Sequence, residues 1–234
     1  MDTPLIETLE SLGVMPVVTI DDAEHAEPLA DALSEGGLPL VEVTLRTATA
    51  AEVIRRLRRS RPRMLVGAGT VLNVEDLLAA RDAGAAFALA PGFSPAVMAR
   101  AREIGMPFFP GVLTPSEVQH ALAAGARVMK FFPAQPAGGT AMLEAIAAPF
   151  ASSGARFIPT GGVKTETLQA WLSSPSVLAV GGTWIATRQA IAAGDWEAVR
   201  HHARAACAVV AGVRGPRQHP ALEPSPQPHR PASS

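Results

Sequence analysis

Leu40-Val41-Glu42-Val43-Thr44-Leu45-Arg46 reads as one β-strand with two unlike faces. The two-residue strand period sets Glu42, Thr44 and Arg46 on one side and Val41, Val43 and Leu45 on the other. Outward from it, short β-type runs at 15–20, 40–46, 64–68, 86–90, 107–110, 127–132, 156–159 and 177–180 alternate with Ala- and Leu-rich helical segments. The helical segments fall at 23–35, 48–59, 74–83, 94–104, 115–124, 140–148, 165–172 and 186–193, with a leading helix at 4–12 and a last one at 196–213. The repeat is roughly 20 to 29 residues, the length that a strand, a helix and two short loops need. Regular βα alternation implies a parallel sheet, and eight units in a chain of 234 residues favour a closed (β/α)8 TIM barrel over an open doubly wound sheet. No Gly-x-Gly-x-x-Gly spacing follows the first strand and no Walker loop is present, so the open-sheet alternative lacks a dinucleotide site.

Bulk composition narrows the function. An apolar share of 48% with 18% charged residues describes a chain able to bury a full core as one domain, expected over 1–213. The net charge is −1, and the densest basic run, Arg55-Arg56-Leu57-Arg58-Arg59-Ser60-Arg61, reads as a solvated helix end; no nucleic-acid partner is expected. Cys207 is the single cysteine and can form no internal disulfide, which fits a reducing, cytoplasmic setting. The start, Met1-Asp2-Thr3-Pro4-Leu5-Ile6-Glu7, carries no basic, apolar-cored targeting signal, and no apolar run reaches membrane-span length, so no membrane partner is expected. Residues 214–234 are proline-rich with few large apolar groups and are expected to form a disordered tail.

Lysine occurs only at Lys130 and Lys164, so ordinary surface charge is carried by arginine. Lys130 lies in Arg127-Val128-Met129-Lys130-Phe131-Phe132-Pro133, which otherwise reads as a buried strand. Apolar burial favours the neutral amine of a lysine, which attacks carbonyls to form a Schiff base; arginine cannot do this. Two structural readings stand beside catalysis: an ion pair with a carboxylate, and a lysine snorkelling from a strand end to water. Lys164, just after Gly161-Gly162, reads as an ordinary exposed lysine, with a further phosphate contact as the alternative.

On the 40–46 strand of a barrel the greasy face meets the helices and the polar face points inward, where Glu42 and Arg46 persist only if paired, solvated or serving a ligand. Arg46, nearest the carboxyl end, is placed to clasp a carboxylate with its planar fork. Glu42 lies deeper and, if Lys130 shares the interior, is placed to move protons on carbinolamine and enamine intermediates. A structural Glu42–Arg46 pair is the alternative. Glycine pairs follow the seventh and eighth strands, at Pro159-Thr160-Gly161-Gly162-Val163 and Val180-Gly181-Gly182-Thr183-Trp184. Barrels often bind phosphate on backbone N–H groups there, although a tight turn also takes glycine. The six histidines show no ligand spacing with a strand-end carboxylate, so neither metal nor other cofactor is expected.

Taken together, Glu42-Val43-Thr44-Leu45-Arg46-Thr47, Gly67-Ala68-Gly69-Thr70-Val71-Leu72, Ala90-Pro91-Gly92, Pro110-Gly111, Lys130-Phe131-Phe132-Pro133-Ala134, Pro159-Thr160-Gly161-Gly162 and Gly181-Gly182-Thr183-Trp184 form a highly specific joint pattern. From about residue 5 to residue 212 the chain resembles the 2-keto-3-deoxy-6-phosphogluconate (KDPG) aldolases, also called 4-hydroxy-2-oxoglutarate (KHG) aldolases. The resemblance implies a metal-independent class I aldolase on a (β/α)8 barrel, a homotrimer acting on a small 2-keto acid and sugar phosphate, with KDPG cleaved to pyruvate and glyceraldehyde 3-phosphate. It further implies Lys130 as the Schiff-base lysine, Glu42 as the general acid/base and Arg46 as the clamp on the pyruvate carboxylate. Thr70 and Pro91 would line the pyruvate end, Phe132 would pack near the imine and Thr160 would meet substrate hydroxyls, with Gly161, Gly162, Gly182 and Thr183 holding phosphate. Thr183 departs from the family's serine, keeping the hydroxyl and adding a methyl. Rival functions are the same mechanism on KHG or 2-keto-3-deoxy-6-phosphogalactonate, a phosphate-binding isomerase or synthase that forms no imine, and a non-catalytic sugar-phosphate-binding barrel.

Overall fold

Parallel strands are laid down in chain order in the structure, a computed structural model that describes residues 3–215. They are β1 (Val14–Val18), β2 (Leu40–Thr44), β3 (Leu65–Gly69), β4 (Phe87–Leu89), β5 (Phe108–Phe109), β6 (Gly111–Val112), β7 (Val128–Phe131), β8 (Arg156–Pro159) and β9 (Val180–Gly182). Helix α1 (Thr3–Leu12) precedes them. Helices α2 (Ala26–Glu35), α3 (Ala50–Ser60), α4 (Val74–Asp82), α5 (Pro95–Glu103), α6 (Pro115–Ala123), α7 (Gly139–Ala147), α8 (Thr165–Leu172) and α9 (Arg188–Ala192) connect or follow them, and α10 (Trp196–Arg214) comes last. The tail expected over 214–234 lies, from residue 216 onward, outside the described residues.

The closed eight-stranded (β/α)8 barrel expected from the repeat is not what the strand ladders form. Six strands pair in the order β5-β4-β3-β2-β1-β9, and β6-β7-β8 form a separate sheet of three. Two prolines account for the seams, because each lacks the N–H that a ladder requires. Pro110 splits the expected 107–110 strand, so that β5 pairs with β4 while β6 pairs with β7. Pro159 stands at the second seam, where Leu178 N–H still donates to the Phe157 carbonyl at 2.8 Å but only isolated bridges, Phe157 to Val177 and Thr160 to Gly181, join the two sheets.

The strand alternation sorts the core into two clusters. Val41, Val43, Val66, Ala68, Met129, Phe131 and Phe157 face the helices. Met15, Leu40, Phe87, Leu89, Phe109, Val128, Ile158 and Leu178 face the enclosed side, where Leu5, Leu9 and Leu12 of α1 cover them. Several of these, Leu40, Phe87 and Val128, open their strands, so α1 seals the amino-terminal ends and the carboxyl-terminal ends are left for a site. Helix starts are fixed by side chains that satisfy otherwise unpaired N–H groups: Asn73, Ser94, Thr187 and Asp195 each accept one, and Thr114 with Glu117 forms a reciprocal capping box.

The arginine run at the end of α3 is partly ion-paired, Arg55 with Glu52, Arg56 with Glu24 and Glu27, and Arg61 with Asp31. Among the described residues no helix is long and apolar enough to cross a membrane.

Candidate active site

Strands β2 and β7 bring together two residues 88 apart in sequence: Lys130 Nζ donates to Glu42 Oε1 at 2.9 Å. Glu42 is wholly buried and Lys130 is 5% exposed. The ion-pair reading of Lys130 is thus fulfilled by Glu42, and the alternative Glu42–Arg46 pair is not formed. The second carboxylate oxygen, Oε2, is buried without a hydrogen-bond partner among the described residues. An unsatisfied buried carboxylate oxygen is costly and is a ready acceptor for a proton or a ligand hydroxyl.

Glycines make the space. A Cβ on Gly69 of β3 would overlap the Glu42 carboxylate, and one on Gly67 would overlap the Phe87 ring. On the other side, Gly111 is in register with Lys130, and a Cβ there would overlap the Pro91 backbone. A strand glycine marks such close approach. Side chains of the neighbouring strands β2 and β4 take up the volumes at Gly69 and Gly67.

Phe132 lies beside the lysine, its ring centroid 5.8 Å from Nζ, within cation–π range. Thr160 is 3% exposed, and its hydroxyl donates to the Ile158 carbonyl at 3.3 Å. Arg46 follows β2 and is exposed; its Nε donates to Thr70 Oγ1 at 3.4 Å. Thr70 holds a left-handed φ of 58°, a conformation that costs about 1–3 kcal/mol for a non-glycine residue and tends to mark functional sites. Arg46 and Thr183 line one cavity of about 320 Å³, walled also by Val17, Thr19, Thr187 and Arg188.

The glycine pairs lie on loops after β8 and at the end of β9. Gly161 and Gly162 have φ of 98° and 76°, which L side chains rarely adopt. Gly161 packs against the Phe132 ring. Gly182 is buried against Trp184, and Thr183 beyond it is exposed. Lys164 is exposed, as read from the sequence. Among the described residues no group of three His, Cys, Asp or Glu is placed to hold a metal.

A larger cavity, about 400 Å³, lies at the opposite end of the strands, lined by Leu5, Ile6, Phe109 and Val128 with Arg102 and Arg127. It contains no lysine and is remote from Glu42, so volume alone misplaces the chemistry. One site feature was missed entirely by sequence reasoning. Arg188, at the start of α9, grips Asp21 from the loop after β1 with two bonds of 2.7 and 2.6 Å. Its guanidinium holds the Asp21 carboxyl below the usual range, chiefly through those bonds. The residues are 167 apart, and each alone looks like ordinary surface charge.

A lysine out of bulk water, with one carboxylate in contact and one of that carboxylate's oxygens free, is equipped to add to a carbonyl and to pass protons. Comparison with known proteins agrees. The family model for KDPG and KHG aldolase matches residues 5–202. A 2-dehydro-3-deoxy-phosphogluconate aldolase of Treponema pallidum is 46% identical over 195 residues, 83% of this chain and 92% of that protein. The enzyme of that name from Pseudomonas aeruginosa is 42% identical over 205 residues, 87% of this chain and 92% of the relative. Among solved structures, KDPG aldolase from Legionella pneumophila, holding pyruvate as a covalent carbinolamine, has a TM-score of 0.82 at 36% identity, covering 86% of this chain and 97% of its own. The chain belongs to the KDPG and KHG aldolase family.

Proposed function

We propose that the protein is a class I aldolase that cleaves KDPG to pyruvate and glyceraldehyde 3-phosphate through a Schiff base on Lys130. The observation that carries this is the buried Lys130–Glu42 contact at 2.9 Å, and the covalent pyruvate carbinolamine in the Legionella pneumophila relative supports it. The proton leaves Nζ for Glu42, and the neutral amine adds to the C2 ketone to give a carbinolamine. Glu42 returns the proton to the departing hydroxyl, water leaves, and a cationic iminium forms. Glu42 then takes the proton of the C4 hydroxyl as the C3–C4 bond breaks; the electron pair flows into the iminium, and the aldehyde is released. Protonation of the enamine at C3 and addition of water to the imine free pyruvate and restore Lys130.

Around this centre Arg46 meets the pyruvate carboxylate with Thr70 and Pro91 nearby, Phe132 flanks the imine and Thr160 meets substrate hydroxyls. Gly161, Gly162, Gly182 and Thr183 receive the phosphate. The family model names KHG beside KDPG, so KHG is a second substrate, cleaved by the same steps to pyruvate and glyoxylate. The enzyme acts as a cytoplasmic homotrimer, which light scattering checks as a mass three times that of the 24.3 kDa chain.

The deciding experiment is borohydride reduction in the presence of pyruvate, followed by peptide mass mapping of the two lysines. A reduced adduct on Lys130 alone is expected. A folded protein that gives no adduct at saturating pyruvate would indicate instead an imine-free isomerase or a binding protein.

A further inference from the structure

Arg188 stands where two cavities meet. It lines the cavity of about 320 Å³ together with Arg46 and Thr183, and a neighbouring one of about 240 Å³ together with Asp21, Asp22 and His25. The two differ in charge. The wall of the first includes both arginines with Thr19, Thr183 and Thr187 and no acidic residue, whereas the second carries two aspartates. An anion is drawn to the first.

Asp21 occupies only part of the Arg188 fork. Its Oδ2 accepts from Nε at 2.7 Å and its Oδ1 from Nη2 at 2.6 Å. A guanidinium has five N–H donors in a fixed plane, and nothing among the described residues accepts from Nη1. The side chains are 64% and 48% exposed, so the pair contributes little to stability by itself. What it does is hold a planar cation in one orientation with an edge to spare, which is how an anion receptor is preorganised. The phosphate set of Gly161, Gly162, Gly182 and Thr183 supplies N–H and O–H donors but no positive charge. A phosphate ester near neutral pH carries close to two negative charges.

We propose that Arg188 receives the substrate's distal phosphate through its free edge, and that Asp21 is the positioning residue that orients it. The inference rests on the aldolase reading above and adds to it a side-chain cation on the same cavity as Arg46, one arginine for each anionic end of the ligand. It predicts that the enzyme discriminates between a phosphate-ended and a short carboxylate-ended substrate through Arg188.

The test is steady-state kinetics of the wild type, Arg188→Ala, Asp21→Ala and the double variant on KDPG and on KHG, with calorimetric titration of glycerol 3-phosphate as a probe that needs no turnover. Arg188→Ala is expected to raise the KM ratio of KDPG over KHG about tenfold, with kcat on KDPG changing far less, and to weaken glycerol 3-phosphate about tenfold, the loss of one charge-assisted contact. Asp21→Ala is expected to move the ratio in the same direction by a smaller factor and to add nothing once Arg188 is gone. A ratio and a titration both within twofold of wild type in Arg188→Ala overturn the proposal. An Asp21 effect that persists undiminished in the double variant overturns the positioning role. Failure of the aldolase reading looks different: the wild type then gives no pyruvate adduct on Lys130, while the titration still reports on Arg188.

Discussion

The carboxylate of Glu42 occupies the volume that a side chain on Gly69 would fill. The absence of a methyl group on β3 therefore fixes where the β2 carboxylate lies, and with it the 2.9 Å contact to Lys130. Gly69→Ala is expected to act as a lesion in Glu42. It should cut kcat by at least an order of magnitude and destabilise the fold by about 1–3 kcal/mol, as forced overpacking does. Kinetics and denaturant melts read both, and near-wild-type kcat in a folded Gly69→Ala would show that the contact can shift without consequence.

Lys130→Arg keeps a cation against Glu42 but removes the nucleophile. Turnover should fall to the buffer rate, and the borohydride adduct should vanish, while the protein stays folded. Lys130→Ala should lose turnover equally and also lose stability, by about 3–5 kcal/mol if Glu42 stays charged and less if it takes up a proton. Melting temperatures of the two variants separate the nucleophile from the ion pair, and residual cleavage above buffer in either would remove Lys130 from the chemistry.

Glu42→Gln retains shape and a hydrogen bond to Nζ while losing the ability to shuttle protons. A fall in kcat of about 10²- to 10⁴-fold is expected, the usual range for a general acid/base. Arg46→Ala should behave otherwise. Its side chain is exposed and meets Thr70 at 3.4 Å, so KM for pyruvate-bearing substrates should rise while the melting temperature stays within about 2 °C. A collapsed melting temperature with unchanged KM would mark Arg46 as structural.

Glu117 allows a pH prediction away from the site. Burial pushes its carboxyl up, but hydrogen bonds from Leu113 N–H and from the Thr114 hydroxyl and N–H outweigh that, and its net shift is downward. A carboxyl depressed in the folded state contributes stability above its unfolded pKa, and that contribution is lost as pH falls through the folded one. Glu117→Gln should therefore be destabilised by about 1 kcal/mol at pH 7 and approach wild type in strong acid. Urea melts at both pH values check this, and a penalty that does not shrink in acid would exclude the carboxylate as its source.

Much of the centre was legible in the sequence, for physical reasons. Alternation along 40–46 set Glu42 and Thr44 on the face opposite Val41 and Val43, although Arg46, read onto that same inward face, lies beyond β2 and is exposed. A lone lysine in an apolar strand stood out because arginine carries nearly all the other positive charge. Ring closure was not legible. Helix and strand periods count βα units, whereas closure depends on ladder N–H groups that Pro110 and Pro159 lack. Nor was Asp21–Arg188, since a pair 167 residues apart leaves no local pattern. Gly69 was visible as a glycine, but the neighbour that needs its space could be known only once β2 and β3 were paired in register.

Arg214, in the last turn of α10, donates to the carbonyls of Glu10, Val177 and Leu178. This fastens the end of the last helix to the first helix, on the side sealed by α1 and opposite Arg46 and Thr183. Both ends of the described chain thus leave from the back of the molecule. A fluorophore or cross-linker fixed near Thr3 or Gly215 would therefore sit behind the strands and leave their carboxyl-terminal ends open to substrate.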